Sequence, residues 1–480
     1  MWKKFVHISV IISSLLSFFI VIYNYSSIPK GYEYIWLLPV MFFIGYLLFF
    51  FKQVNGTSNP IVLYGILGME YIRFILIPIF CTLAGENNGM FYINPSPQSL
   101  RLSIFFMIIE LFAVGVFFNL VTTNNSIVKF SEAKKQYYLA GNKIIYYIFF
   151  IFSGIIFFLF GRNRNLVNFL FIETSGDGVR NGDLEGIGDL MIRQFIVCSI
   201  FLFFCIVVNY SKKKIEETNN NIYFYLSLFA GLLNLSMLTG ERRSNQVYVA
   251  FCTILILLKC FPKFKKKILV IMISMVSFIL ILMSIYKFFY VFLYDSYIEA
   301  VKESSINIEF ISQTLQSYFF GPQNIAITID FFNDTSFSIF QSLFDFFRSI
   351  FGLSFLFKGS EEITSVYFNT YVYGFQQSNG HVLSGVGYSY GFYGIYFIYA
   401  QSIFNVWISV IIENLLKRET KIEYLYVYSY ILIRFVTNLF VNTAPLISQS
   451  TIFAFSSFAV IFLAQLFNTR KGKGDKIEAI

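Results

Sequence analysis

Charge is scarce in this sequence. Asp, Glu, Lys and Arg make up 13% of its 480 residues, where a soluble domain carries about 25%. Histidine is scarcer still. Only His7 and His381 occur, too few imidazoles for an ordinary zinc centre. The five cysteines, Cys81, Cys198, Cys205, Cys252 and Cys260, form no C-x-x-C pair. They lie mostly in apolar runs, where cysteine behaves as a small buried hydrophobe. No long polar tract divides the chain into halves, and repeats and low-complexity stretches are lacking. A soluble multidomain protein, a disulfide framework and a zinc protein are thereby disfavoured together.

What the chain has is apolar and aromatic surface. It is 56% hydrophobic and 21% aromatic. Apolar runs of about 20 residues, the length that crosses a bilayer, recur from end to end. The composition therefore predicts an all-α polytopic membrane protein, with residues 1–480 as a single integral membrane domain. Twelve spans are expected, at about 5–23, 34–51, 61–83, 102–121, 144–160, 190–208, 222–238, 244–262, 268–293, 388–412, 424–441 and 446–467. The first run follows Lys3 and Lys4, and no small-x-small cleavage site comes after it. It reads as an uncleaved spanning helix.

With the N-terminus inside, the connecting charges sort by side. The cytoplasmic segments are rich in lysine: Lys3 and Lys4, Lys129, Lys134 and Lys135, Lys212 to Lys214, Lys263, Lys265 to Lys267, and Lys471, Lys473 and Lys476 around the cytoplasmic C-terminus. This is the positive-inside pattern. The outside segments are poorer in basic residues, and most of theirs are arginine: Arg101, Arg162, Arg164, Arg180, Arg242, Arg243 and Arg348. Lysine suffices to hold topology. Arginine offers a planar fork of donors that matches phosphate oxygens. The outside arginines are thus a candidate anion site, against the plainer reading of loop arginines paired with nearby carboxylates.

Two outside loops are long, 161–189 and 294–387, the second between spans nine and ten. Within it, "SIFQSLFDFFRSIFGLSFLF" (338–357) is too apolar for a solvated linker and should lie in the interface or re-enter the protein. The stretch 181–189 offers Asn181, Asp183, Glu185 and Gly186 at the early positions of a calcium loop. Ile192 then stands where a bidentate Glu is required, which argues against calcium. Inside the spans, Glu70 and Arg73 lie three apart on one helix face and should pair. Glu110, Arg193 and Arg434 are also embedded. Arg193 and Arg434 stand toward the outer ends of their helices, where they line a cavity or snorkel.

Two features carry candidate chemistry. In "SMLTGERRSNQVYVAF" (236–251), Arg242 and Arg243 open the eighth span at the outer face, with Glu241 beside them. A helix N-terminus already favours anions, and two guanidiniums add to it. The second feature is "NGHVLSGVGYSYGFYGIYF" (379–397). There His381 precedes the tenth span, on which Gly391 and Gly394 follow. An imidazole outside the membrane can take a proton near neutral pH or donate to an anion.

Together these features carry a resemblance. "TGERRSN" is similar to the T/S-G-x-R-small element of the bacterial O-antigen ligase and polymerase superfamily. His381 with Gly391 and Gly394 resembles that superfamily's histidine and G-x-x-G helix start, reached after a large external loop. The plan of about twelve spans with one long external loop in the second half matches along nearly the whole chain. It looks most like the Wzy-type oligosaccharide repeat-unit polymerases. The family's acidic residue before the G-x-x-G is missing, since Gly387, Tyr388, Ser389 and Tyr390 stand there, and the arginine is doubled. Arg162 with Gly178 and Arg348 with Gly359 fit the spacings of further family arginines.

The resemblance implies a GT-C-like architecture in the bacterial cytoplasmic (inner) membrane. It implies a metal-independent glycosyltransferase that needs no cofactor or nucleotide sugar. The expected donor and acceptor are polyprenyl-diphosphate-linked oligosaccharides, joined at the outer membrane face into a capsule or lipopolysaccharide glycan. Membrane lipids, a flippase and chain-length regulator proteins are the expected partners, and nucleic acid is not one. Arg242, Arg243 and His381 are the candidate catalytic residues. Arg162, Arg164, Arg180, Arg193, Arg348 and Arg434 are candidates for holding diphosphate or glycan. The base that takes the acceptor's proton is His381, or else Asp177 or Glu241. A ligase-like transferase and a flippase of lipid-linked sugars stand as alternatives.

Overall fold

The computed structural model describes residues 2–85, 93–125, 135–161, 168–169, 187–238, 243–292, 308–357, 362–374 and 383–474. In chain order the first half holds α1 (Trp2–Tyr23), α2 (Leu37–Gly56), α3 (Pro60–Ala84), α4 (Pro97–Asn125), α5 (Lys143–Ile156), β1 (Asn168–Phe169) and α6 (Ile187–Thr218). Then follow α7 (Ile222–Ser236), β2 (Met237–Leu238), α8 (Arg243–Cys260), α9 (Lys265–Phe292), α10 (Ile308–Tyr318), α11 (Pro322–Asp334) and α12 (Ile339–Ser349). The chain closes with α13 (Thr364–Tyr373), α14 (Gly385–Tyr393), α15 (Ala400–Arg418), α16 (Ile422–Val436) and α17 (Thr443–Gly474).

Among the described residues, eight helical stretches are long and apolar enough to cross a membrane. The protein is a multi-pass helical membrane protein. The eight are Lys3–Tyr23, Leu37–Gly56, Pro60–Ala84, Pro97–Thr122, Lys143–Gly161, Gly188–Thr218, Ile395–Arg418 and Thr443–Asn468. The expected spans at 222–238 and 244–262 fall on shorter apolar helices, and those at 268–293 and 424–441 fall on α9 and α16.

Helix α6 runs on to Thr218, ten residues past the expected span, and two other boundaries differ from expectation for a local reason. The span expected at 388–412 is interrupted, because Gly394 takes φ +74 and ends α14. Gly394 is therefore not on the helix that carries Gly391, and the membrane-length stretch begins at Ile395. Helix α16 stops at Val436, short of 441. There Asn438 Nδ2 donates to the Arg434 carbonyl at 2.8 Å, and the Thr437 hydroxyl reaches the same oxygen at 3.5 Å. Such side chains compete with the helical backbone for its carbonyls.

The chain divides into two compact units. The first comprises Met1–Ser131, Ile306–Asn414 and Arg434–Gln449. At its centre α11 is buried along most of its length, with Pro322 in its first turn, where the missing N–H costs nothing. Helix α14 lies against it through two glycines. A Cβ on Gly387 would come within 2.5 Å of Thr328 Cγ2, and at Gly391 the Phe332 ring fills the space. Small residues are what allow two helices this close. The Asp330 carboxylate of α11 accepts from Ser96 N (2.7 Å), Ser96 Oγ (3.0 Å) and Ser99 Oγ (2.6 Å), which satisfies the start of α4.

Helix α12 in this unit has its polarity reversed. Gln341, Ser342 and Asp345 are buried, while Phe340 is 73% exposed and Leu343 51%. An apolar outward face suits lipid rather than water. Phe346 on its flank packs against Phe404 of α15 at 6.2 Å.

The second unit comprises Glu132–Ser305, Leu415–Ile433 and Ser450–Ile480. Its interior is aromatic. Phe201 stacks on Tyr426 at 4.5 Å, and Phe453 packs on both Phe201 and Tyr430. Buried Asn234 is satisfied by Thr253 Oγ1 and Tyr426 Oη, both at 3.0 Å. Glu423 accepts from the amides of Ala140 and Gly141 and from the Tyr146 hydroxyl. All five cysteines of the protein are buried and unpaired, as their apolar contexts predict.

Candidate anion-binding site

In the second unit, β1, β2, the start of α8 and α6 are tied together. β1 pairs antiparallel with β2, Asn168 opposite Leu238 and Phe169 opposite Met237. Asn168 comes four residues after Arg164, and Leu238 four residues before Arg242. The ladder thus joins the segment that follows Arg162 and Arg164 to the one that precedes Arg242 and Arg243. The third segment is α6. Its Ile196 packs with Met237 in a small apolar cluster that Ile192 and Phe157 complete. Arg193 sits between those two isoleucines in sequence and is half-buried.

The start of α8 is locked to the same point. Arg243 is its first residue, so the helix N-terminus opens at the double arginine. One turn on, buried Gln246 donates from Nε2 to the Met237 carbonyl at 2.7 Å. The free amides of a helix start and its dipole favour an anion there. Met237 therefore holds β1, the first turn of α8 and the Arg193 face of α6 in register.

Several predicted residues lie outside the described ones. These are Arg162, Arg164, Asp177, Arg180, Glu241, Arg242 and His381, with the calcium-like stretch 181–186; Arg243 is described for its backbone. Among the described residues no group of three or more His, Cys, Asp or Glu gathers to hold a metal.

The first unit gathers the other candidates around α14. The segment that carries His381 leads into Leu383, whose carbonyl accepts from Asn442 N at 3.2 Å. Ser384 and Val441 form an antiparallel bridge, and Gly385 N donates to the Phe440 carbonyl at 2.7 Å. The turn so engaged, 437–442, follows directly on Arg434, which is 7% exposed at the last turn of α16. One turn along α14, Tyr388 Oη donates to Asp345 at 2.9 Å. Arg348 lies one turn beyond Asp345 on α12, its guanidinium 5.5 Å from the Phe344 ring centroid. Arg348, Arg434 and the chain downstream of His381 are thus all referred to one short helix.

Sequence reasoning missed Asp345. Its carboxylate also accepts from Thr364 N (3.1 Å) and Gln341 Nε2 (3.3 Å). Burial pushes its carboxyl above the ordinary range, and the Thr364, Tyr388 and Gln341 bonds pull the other way. A lone Asp in an aromatic segment gave no signal of this.

One arginine is placed differently. Arg73 is fully buried in α3, within a π-helical stretch at Ile72–Leu76. Its Nη1 meets Glu70 at 3.4 Å, as the spacing predicts, and its Nη2 meets Glu110 of α4 at 2.7 Å. Its Nε donates to the Phe320 carbonyl at 3.4 Å, and the Phe440 ring lies 4.1 Å from Cζ. Ser402 donates to the other Glu110 oxygen. Phe320 holds φ 53, a strained value for a bulky residue. The sequence paired Arg73 with Glu70 and left Glu110 without a partner, because the second contact bridges two helices.

No protein-family model matches the chain, and neither the curated proteins nor the solved structures hold a match.

Proposed function

We propose that this protein is a GT-C-like glycosyltransferase of about twelve spans that polymerises lipid-linked oligosaccharide repeat units. The donor is a growing glycan on polyprenyl diphosphate, and the acceptor is a single lipid-linked unit. Both meet the protein outside the bacterial cytoplasmic membrane. The acceptor's hydroxyl attacks the donor's anomeric carbon and the bond to diphosphate breaks. Negative charge then grows on the departing diphosphate, and preorganised guanidiniums in a partly dry site stabilise it. His381 takes the hydroxyl proton in this scheme.

The observation that carries the reading is the two-residue ladder at Met237 and Leu238. It supports a shared diphosphate site for Arg162, Arg164, Arg242 and Arg243 at the N-terminus of α8, with Arg193 on the adjoining helix. A ligase that delivers finished glycan to another acceptor would use the same chemistry. Transport of lipid-linked sugars draws on the Arg73 cluster, since charges buried in spans often line transport paths. Each nitrogen of that guanidinium already has a protein partner, so polymerisation is the better-supported reading.

The test is single replacement of Arg242, Arg243 and His381 by alanine, with membrane levels checked before surface glycan is sized. Loss of the long-chain ladder with single units still delivered outside is the expected result. A normal ladder in every well-expressed variant would refute the catalytic assignment.

A further inference from the structure

Buried amides in a folded protein almost always find partners. Asn442 does not. It is 1% exposed, yet neither its Nδ2 nor its Oδ1 meets a hydrogen-bonding partner. Among the described residues it is the one side-chain amide with both its nitrogen and its oxygen left over.

Its position is fixed on both sides. Asn405 Nδ2 donates to the carbonyls of Leu439 and Val441, each at 2.9 Å. Thr443 N donates to Gln401 Oε1 at 2.8 Å, and its hydroxyl donates to Asn405 Oδ1 at 2.9 Å. Asn442 N is itself bound to the Leu383 carbonyl. The backbone of the turn is thus tied down, and at 1% exposure the side chain stands in a dry interior.

An unsatisfied buried donor and acceptor each carry the full penalty of lost hydration. A group that donates one hydrogen bond and accepts another would remove both penalties at once. A hydroxyl is the smallest group that does so. We infer that Asn442 is a binding residue for a hydroxyl group, supplied by a sugar of the lipid-linked glycan; its backbone N–H is bonded to Leu383, which follows His381 by two residues in sequence. The inference rests on the polymerase reading for the identity of that hydroxyl. The same chemistry is available from a trapped water, and the two sources differ in what replacement of Asn442 does.

The experiment uses the full chain, purified in detergent free of glycolipid, and the near-isosteric Asn442→Leu. If the amide is empty at rest, the variant unfolds at or above the wild-type temperature, because an unmet polar group has been removed. It then polymerises lipid-linked repeat units extracted from the producing cell with KM raised at least about tenfold, the worth of one good hydrogen bond. Asn442→Ser, which keeps a donor and an acceptor, recovers part of the loss. An unfolding temperature well below wild type means a structural water occupies the amide and overturns the inference. So does an unchanged KM in a stable variant. Arg243→Ala run alongside separates the two claims. If it abolishes polymer while Asn442→Leu leaves KM alone, only the Asn442 role falls. If neither variant changes the product, both claims fall.

Discussion

The two units handle arginine in opposite ways. In the first, Arg73 is used up by the protein itself: two carboxylates, a backbone carbonyl and an aromatic ring surround one guanidinium with no exposure. In the second, a ladder of only two residues joins the chain segments that lead to and from arginines, beside a helix N-terminus. A saturated, buried arginine is a keystone, because removing it strands charge in a dry interior. A helix start beside such a ladder offers free amides that favour an anion, which is where the proposed site lies. The difference teaches that the type of residue says less about its role than the partners the fold has already supplied.

The largest test of that contrast is Arg73→Ala. It leaves Glu70 and Glu110 buried with no counter-charge, a loss of about 3–5 kcal/mol. Folded protein in the membrane should fall sharply, as read by size-exclusion of the detergent extract. Arg243→Ala should instead stay within about 0.5 kcal/mol of wild-type stability while glycan polymer disappears. Equal folding yields for the two variants would erase the distinction.

Next in size is Gly387→Ala. The added methyl meets Thr328 at 2.5 Å, and overpacking of this kind costs about 1–3 kcal/mol. A lower unfolding temperature, recovered in part by Thr328→Ser, would tie the α11–α14 contact to the first unit's stability. An unchanged temperature would show that this contact can relax.

Arg242→Lys and Arg243→Lys sharpen the second half of the comparison. Each keeps the charge and loses the planar fork. Glycan chain length in these variants should fall between wild type and the alanine variants if diphosphate geometry matters. Wild-type chain length in both would mean that charge alone suffices.

The smallest expected effect is on pH dependence. Burial raises the Asp345 carboxyl, so the folded protein holds that proton to a higher pH than the unfolded chain does. Its stabilising contribution is complete below the ordinary Asp range and fades as pH climbs through the raised value. Glu33 runs the other way. The hydrogen bond from Arg101 lowers it to about 2, so its contribution is present above the ordinary Glu range and fades as pH falls toward that value. Unfolding temperature measured against pH should flatten at its upper carboxyl limb in Asp345→Asn and at its acid limb in Glu33→Gln. Identical slopes in wild type and variants would remove these groups from the account.

Much of the fold is legible in the chain. Apolar runs near membrane length recover each of the eight membrane-length helices, because hydrocarbon thickness fixes how many residues must be apolar. The Glu70–Arg73 pair follows from helical spacing alone. The breaks at Gly394 and Val436 are harder to foresee, since a glycine or an Asn-Thr pair ends a helix only where the surrounding contacts permit. Asp345 and Asn442 gave no sequence signal whatever.

By itself, then, the sequence determined a membrane chain, the approximate position of most helices, and a double arginine at the start of one of them. Those depend on local composition and on the 3.6-residue period. Only the tertiary structure decided that Arg73 is shared with Glu110, that Met237 ties β1, the first turn of α8 and α6 together, and that the Asn442 side chain is buried without a partner. Each of those depends on which distant residues come within hydrogen-bond or packing range, and that is settled by how helices pack rather than by any one of them.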